Sequence, residues 1–205
     1  SGQTTSYPNT IKPALQCIGV KEGFKIVSGM YIVITKKETY FFADCTVNVN
    51  PNAEQLAEIA ISAASVVKAF DVVPKIAMLS FSNFGSAAYL ESIKVKEAVK
   101  IVKSKMPELI IDGEMQADTA VVPEILDKIF PFTSIKGGAN VLVFPSLDAA
   151  NIAYKLMARI GQATVIGPIL MGMKKPVHVL QRGATVDDIY NMTAIAVVDA
   201  QTTKK

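Results

Sequence analysis

Three times in this chain a short apolar run ends in small, turn-forming residues and then passes into a helical stretch. Residues 75–80 lead through 80–86 into a helix with Val95, Ala98, Val99 and Val102 on one face. Residues 109–111 lead through Asp112, Gly113, Glu114 and Met115 into a stretch that Pro123 restarts or kinks and Pro131 ends. Residues 141–144 lead through Pro145 and Ser146 into a helix that runs to Ile160 and is closed by Gly161. Residues 163–166 open the pattern once more, with 167–172 as the following loop. Parallel strands need crossover connections, and helices are the usual crossover. The chain is therefore expected to be α/β, a mostly parallel sheet with helices on both faces. Strands covered on both faces need an apolar composition. The chain supplies it, with 50% hydrophobic and 19% charged residues in 205.

The beginning of the chain reads differently. Residues 1–12 are polar and loop-like, 13–20 suit a strand, and 23–29 are extended. Residues 31–35 and 40–43 flank Lys36-Lys37-Glu38 and read as an antiparallel hairpin at the edge of the sheet. A third strand is expected over 46–49. Asn52 with Gln55 three residues later is a capping-box signal. Leu56, Ile59, Ala60, Ala63, Val67 and Phe70 mark the core face of the helix that follows.

Several functions are excluded at this level. A net charge of +3 is too small and too scattered for nucleic acid. The longest apolar runs fall short of a bilayer span, and no signal peptide is apparent, so no membrane partner and a cytoplasmic setting are expected. Cys17 and Cys45 lack Cys-x-x-Cys spacing and read as buried free thiols. The single histidine, His178, lies in an alternating pattern and reads as structural. No ligand spacing points to a metal. No Gly-x-Gly-x-x-Gly follows a strand, and Met173 stands where a Walker motif needs lysine.

Ligands of open α/β sheets bind outside the carboxyl ends of the strands. The loops expected there carry Ser82, Ser146, Gly167, Pro168, Met171 and Gly172. The stretch from Lys175 to Asp199 adds chemistry to them. Val177, Val179 and Leu180 form an extended piece, and a turn follows with Gln181, Arg182 and Gly183. Thr185 then suits an N-cap with Asp188 at N3, and Ile189, Met192, Ile195 and Ala196 recur at helical spacing. Arg182 thus stands at the mouth of a helix N-terminus, a ready anion site. A carboxylate at Asp188 is in place to accept a proton, although a capping box explains it without chemistry.

The stretch around Arg182, Gly183 and Asp188 resembles the C-terminal signature of phosphate acetyltransferases. Gln181-Arg182-Gly183-Ala184 with Thr185-Val186-Asp187-Asp188 looks most like the phosphotransacetylase-like domain at the C-terminus of bacterial NADP-dependent malic enzymes. Weaker similarities in the same order run along nearly the whole chain, among them Asp112-Gly113-Glu114, Phe144-Pro145-Ser146-Leu147 and Gly167-Pro168-Ile169-Leu170. The resemblance implies a two-subdomain fold of the isocitrate/isopropylmalate dehydrogenase-like kind with its N-terminal part missing. Residues 1–23 and 176–205 would belong to the first subdomain and 24–175 to an inserted one. It also implies that Ser6 and Lys12 come from an active-site loop, with lysine where arginine is usual. Gln181 stands where the family has serine.

Three functions follow from the resemblance. The first is a domain that binds acetyl-CoA as an allosteric regulator of a malic enzyme. The second is an active phosphate acetyltransferase, with Asp188 as base toward the thiol of CoA and Arg182 on the phosphate. The third is a structural dimerisation module. The first two imply acetyl-CoA or CoA as the ligand of this domain, which has no cofactor of its own. NADP and a divalent metal would belong to an upstream malic-enzyme domain. A homodimer or larger homo-oligomer is expected, because the last helix is apolar nearly all round.

Overall fold

The computed structural model describes residues 5–181 and 183–202. The chain begins with α1 (Tyr7–Cys17), β1 (Ser28–Ile34), β2 (Thr39–Ala43), α2 (Ala53–Ala69), β3 (Lys75–Leu79) and α3 (Leu90–Lys105). It continues with β4 (Ile110–Met115), α4 (Ala117–Val121), α5 (Pro123–Ile129), β5 (Val141–Val143), α6 (Leu147–Arg159), β6 (Thr164–Met171) and α7 (Val186–Thr202). The six strands form one sheet in the order β4-β3-β5-β2-β1-β6. The pairs β4–β3, β3–β5 and β5–β2 are parallel, whereas β1 runs antiparallel to both β2 and β6. The mixed α/β architecture expected from the alternation is present.

Both faces of the sheet are covered. On one face Met30, Phe41, Ile76, Met78, Val141 and Ile169 pack against α2, α3 and the Met192/Ile195 side of α7. On the other, Tyr31, Val33, Phe42, Leu79, Leu142 and Phe144 pack against α4, α5 and α6. Successive strand residues therefore go to opposite cores, as the two-residue period requires. The Asn52/Gln55 capping box starts α2: Gln55 N–H donates to Asn52 Oδ1 and Asn52 N–H to Gln55 Oε1, both at 2.9 Å.

Six sequence expectations are corrected. Residues 13–17, expected as strand, close α1, because Ile11, Ala14, Leu15 and Ile18 recur at helical spacing and pack on Val27, Leu170 and Val179. Residues 46–49 form no strand. The buried Asp44 carboxylate collects the N–H groups of Thr46, Val47 and Asn48 at 2.8–3.2 Å and turns the chain. The same carboxylate accepts Gly29 N–H at 2.8 Å and so ties this turn to β1. Residues 112–115 and 167–171, expected as loops, lie within β4 and β6. The hairpin is not at the edge, because β6 pairs outside it. Cys17 is exposed at the end of α1, while Cys45 is buried, with a thiol pushed up by burial and by the Asp44 charge.

Within the single chain, helix α7 buries only part of its apolar surface. Met192 and Ile195 are buried, whereas Val186, Ile189, Tyr190 and Val197 are exposed. No described helix is long and apolar enough to cross a membrane.

Asp112 in β4 offers a direct stability test. It accepts from Lys103 Nζ at 2.9 Å, Thr133 Oγ1 at 2.8 Å and Ser134 N–H at 3.0 Å. Burial pushes its carboxyl up, but these partners outweigh burial and hold it below the ordinary carboxylate range. A carboxyl depressed in the folded state stabilises above its unfolded pKa and loses that contribution as pH falls through the folded one. Asp112→Asn is therefore expected to lower the melting temperature at neutral pH and to flatten its fall below about pH 4. Melting curves from pH 7 to pH 2 check this.

Candidate active site

The two ends of the described chain meet beside β1. Helix α1 starts at Ser6, whose extended backbone places it at the N-cap but whose side chain makes no cap bond. Pro8 in the first turn lacks a donor, and the remaining first-turn N–H groups have no side-chain acceptor from Ser6. Thr10 donates both its N–H and its hydroxyl to Ser6 O, at 3.0 and 3.1 Å. This helix start opens on a cavity of about 380 Å³ lined by Thr5, Ser6, Tyr7, Thr10, Val179, Leu180 and Gln181.

The opposite wall comes from the segment before α7. Val179 is buried against α1, and Leu180 packs toward the large core. Ala184 N–H donates to Gln181 O at 3.2 Å and closes a turn in which Gly183 has φ +77°. A Cβ at Gly183 would meet nothing within 4 Å, so its conformation, not space, calls for glycine. The Gln181 side chain reaches back to the sheet, where its Nε2 donates to Tyr31 Oη. Arg182 lies outside the described residues.

At the start of α7 the expected capping box is complete. Thr185 donates its N–H and its hydroxyl to Asp188 Oδ2, each at 2.8 Å, and Asp188 N–H donates to Thr185 Oγ1 at 3.2 Å. Asp188 is thus held at the N-terminus of α7, where the helix dipole favours a negative charge.

Tyr7 lines the cavity, Tyr31 holds the Gln181 side chain from the sheet, and both stay neutral. The Tyr7 phenol is pushed up to about 12, chiefly by burial and also by the Asp44 charge, against a Thr46 hydrogen bond that lowers it. Burial raises Tyr31 further, aided by the neighbouring Tyr154 hydroxyl. Both remain hydrogen-bonding phenols at any physiological pH.

The other expected site residues are dispersed. Lys12 is exposed on α1 and does not line the cavity. Ser82 is buried, donating to Glu114 Oε1 at 2.9 Å and accepting from Ala87 N–H at 3.1 Å. Ser146 caps α6 by accepting from Ala149 N–H at 3.4 Å. Met171 and Gly172 line a separate cavity of about 410 Å³ with Phe24, Phe70, Lys174 and Asp199. These loops satisfy their own polar groups, which a list of small and polar residues does not reveal. His178 is structural, as expected: Leu170 N–H donates to its Nδ1 at 3.3 Å, and its Nε2 lies 3.2 Å from Asp199 Oδ2. No cluster of metal-ligating side chains occurs among the described residues.

The sequence reading missed Tyr7, Thr10 and Tyr31. Thr10 carries a local signal, one helical turn after Ser6. Tyr31 carries none, because its partner is 150 positions away.

A sequence profile described as Phosphate acetyl/butaryl transferase matches residues 1–197. This chain belongs to that family. It is 50% identical over 98% of its length to the phosphate acetyltransferase of Bacillus subtilis, and 42% identical to that of Staphylococcus epidermidis. It spans 62% of each of those relatives. Its fold matches a phosphotransacetylase from Streptococcus pyogenes with a TM-score of 0.94 at 44% identity, over 98% of this chain and 62% of that one. The resemblance to the acetyltransferase superfamily holds. The finer likeness to a malic-enzyme domain gives way, because relatives sharing 42–50% of the residues are named phosphate acetyltransferase.

Gly167 tests how tightly the wall is built. It has φ +146° in β6, and a Cβ there would lie 2.6 Å from Tyr31 Cδ1 and 2.9 Å from Met30 O. Gly167→Ala is expected to cost about 2–4 kcal/mol through overpacking and backbone strain. Urea unfolding of the variant and the wild type measures this.

Proposed function

We propose that the full protein is a phosphate acetyltransferase, moving an acetyl group between acetyl phosphate and CoA. The observation that carries this reading is 50% identity to a phosphate acetyltransferase across 98% of the chain. The geometry beside β1 is compatible with it. The uncapped start of α1, with the Ser6 hydroxyl and the neutral Tyr7, offers donors to an anion, and the family resemblance assigns the phosphate to Arg182. Gly183 lets that turn close, and Asp188 follows at the helix start. In the forward direction Asp188 takes the thiol proton and the thiolate sulfur attacks the acyl carbon. The C–S bond forms and the C–O bond to phosphate breaks. Phosphate departs with the electron pair and recovers the proton. CoA enters as substrate, and the reaction needs no resident cofactor or metal.

Within this reading residues 1–23 and 176–205 form part of one subdomain and 24–175 another, with the cleft at their junction. Lys12, Ser82, Ser146, Gly167, Pro168, Met171 and Gly172 contribute indirectly, through the frame around the cleft. A two-fold homodimer and a cytoplasmic setting belong to the same proposal. Light scattering of the full-length protein at micromolar concentration tests the dimer, and a monomer alone refutes it.

One observation favours a second reading, in which acetyl-CoA binds and is not turned over. Asp188 Oδ2 is committed to the cap, and Gln181 stands where the family carries serine. The decisive experiment is thioester formation from acetyl phosphate and CoA by the purified full-length protein. Turnover is expected. Asp188→Asn should lower kcat by about 10²-fold or more while leaving the melting temperature nearly unchanged, because asparagine still caps. Arg182→Ala should weaken substrate affinity about tenfold to a hundredfold. Absence of turnover, with acetyl-CoA binding in a calorimetric titration, selects the second reading.

A further inference from the structure

The Gln181 side chain spans from the turn before α7 to β1, and its anchor there is unusually constrained. Tyr31 is 4% exposed. One face of its ring stacks on Tyr154, with centroids 4.2 Å apart and planes 22° from parallel. Its edge lies against Gly167, where even one added carbon would collide. Opposite Tyr31 the ladder is broken: Met30 pairs with Ile169 and Ile32 with Ile166, so β6 carries one extra residue at Gly167-Pro168. Such a bulge opens the ladder and re-aims a side chain. The Tyr31 oxygen accepts from the Gln181 amide, and the Tyr154 hydroxyl lies beside it.

We propose that Tyr31 is a positioning residue of the acyl-transfer site, fixing the Gln181 amide at the cavity that Gln181 lines. The inference rests on the acyl-transfer reading. A free glutamine side chain samples many rotamers, and ordering it costs on the order of 1.5–2 kcal/mol. Here that ordering is done by one hydrogen bond to a ring that cannot move. One amide hydrogen is spent on Tyr31, so the second hydrogen and the carbonyl remain for the cavity that Gln181 lines. In place of a short hydroxyl on the turn, this chain presents a longer amide held from behind. A site held this way needs both partners, and either one alone contributes nothing further.

The test is a double-mutant cycle in the full-length protein, with Tyr31→Phe, Gln181→Ser and the two together. Tyr31→Phe keeps the ring and its stacking, so the fold should persist. Its kcat/KM for acetyl transfer should fall roughly threefold to tenfold, the scale of one lost hydrogen bond. The double variant should lose nothing beyond Gln181→Ser alone. Gln181→Met, which fills the same space and cannot donate, should reproduce the Tyr31→Phe loss, and it stands in if Tyr31→Phe does not fold. Kinetics within twofold of wild type for these variants, or additive losses in the double variant, overturn the proposal. If the wild type transfers no acetyl group, the acyl-transfer reading fails by itself. The same cycle read by calorimetric titration with acetyl-CoA then decides the tether, with coupling supporting it and additivity overturning it.

Discussion

Strand β1 runs against both of its neighbours, and much of the molecule follows from that. A parallel β2–β1 connection would need a crossover, whereas a tight turn over residues 35–38 suffices for an antiparallel one. Once β1 lies beside β2, its outer edge is free to receive β6 from the far end of the chain. That pairing brings the segment after β6 back to α1 and lays α7 against β6 and α2. Pro168 lacks a donor and is tolerated because it sits at the bulge of an outermost strand. The same bulge gives Tyr31 its room.

Three buried carboxylates keep the surrounding turns in shape. Asp44 gathers four backbone N–H groups and the Asn48 amide. Glu114 holds Ser82 and the N–H of Gly85. Asp112 holds Lys103, Thr133 and Ser134. Each satisfies backbone groups that no strand or helix would pair, which matters because an unpaired buried N–H costs about 1–3 kcal/mol. Asp44 and Asp112 are therefore accounted for by structure before any ligand is considered, whereas Glu114 keeps one buried oxygen, Oε2, without a hydrogen-bond partner. The candidate site differs, since Ser6 makes no cap bond and the Gln181 amide keeps bonding capacity beyond Tyr31.

Much of the site is a matter of neighbours far apart in sequence. Ser6, Tyr31 and Gln181 come from a helix start, the strand next to the sheet edge and a late turn. A substitution in β6 that shifts Tyr31 would reach the turn before α7 without touching it. Function and packing are coupled here through one ring and one amide.

The sequence by itself determined the alternating α/β architecture, because strand and helix periods and their turn residues are local signals. It also determined the Asn52/Gln55 and Thr185/Asp188 capping boxes, where partners stand three residues apart. It did not determine that residues 7–17 are helical, since polar residues and Pro13 masked a sparse apolar stripe. Nor did it show that 167–171 continue a strand, because Gly167 and Pro168 look like a loop until β1 is placed beside them. Of the expected site residues, Ser6 and Gln181 share a cavity, while Ser82 and Ser146 serve their own turns. Only the tertiary structure decided which is which. Hydrogen bonds between residues 150 positions apart leave no trace in spacing, and a small polar residue reads the same whether it caps a helix or faces a ligand.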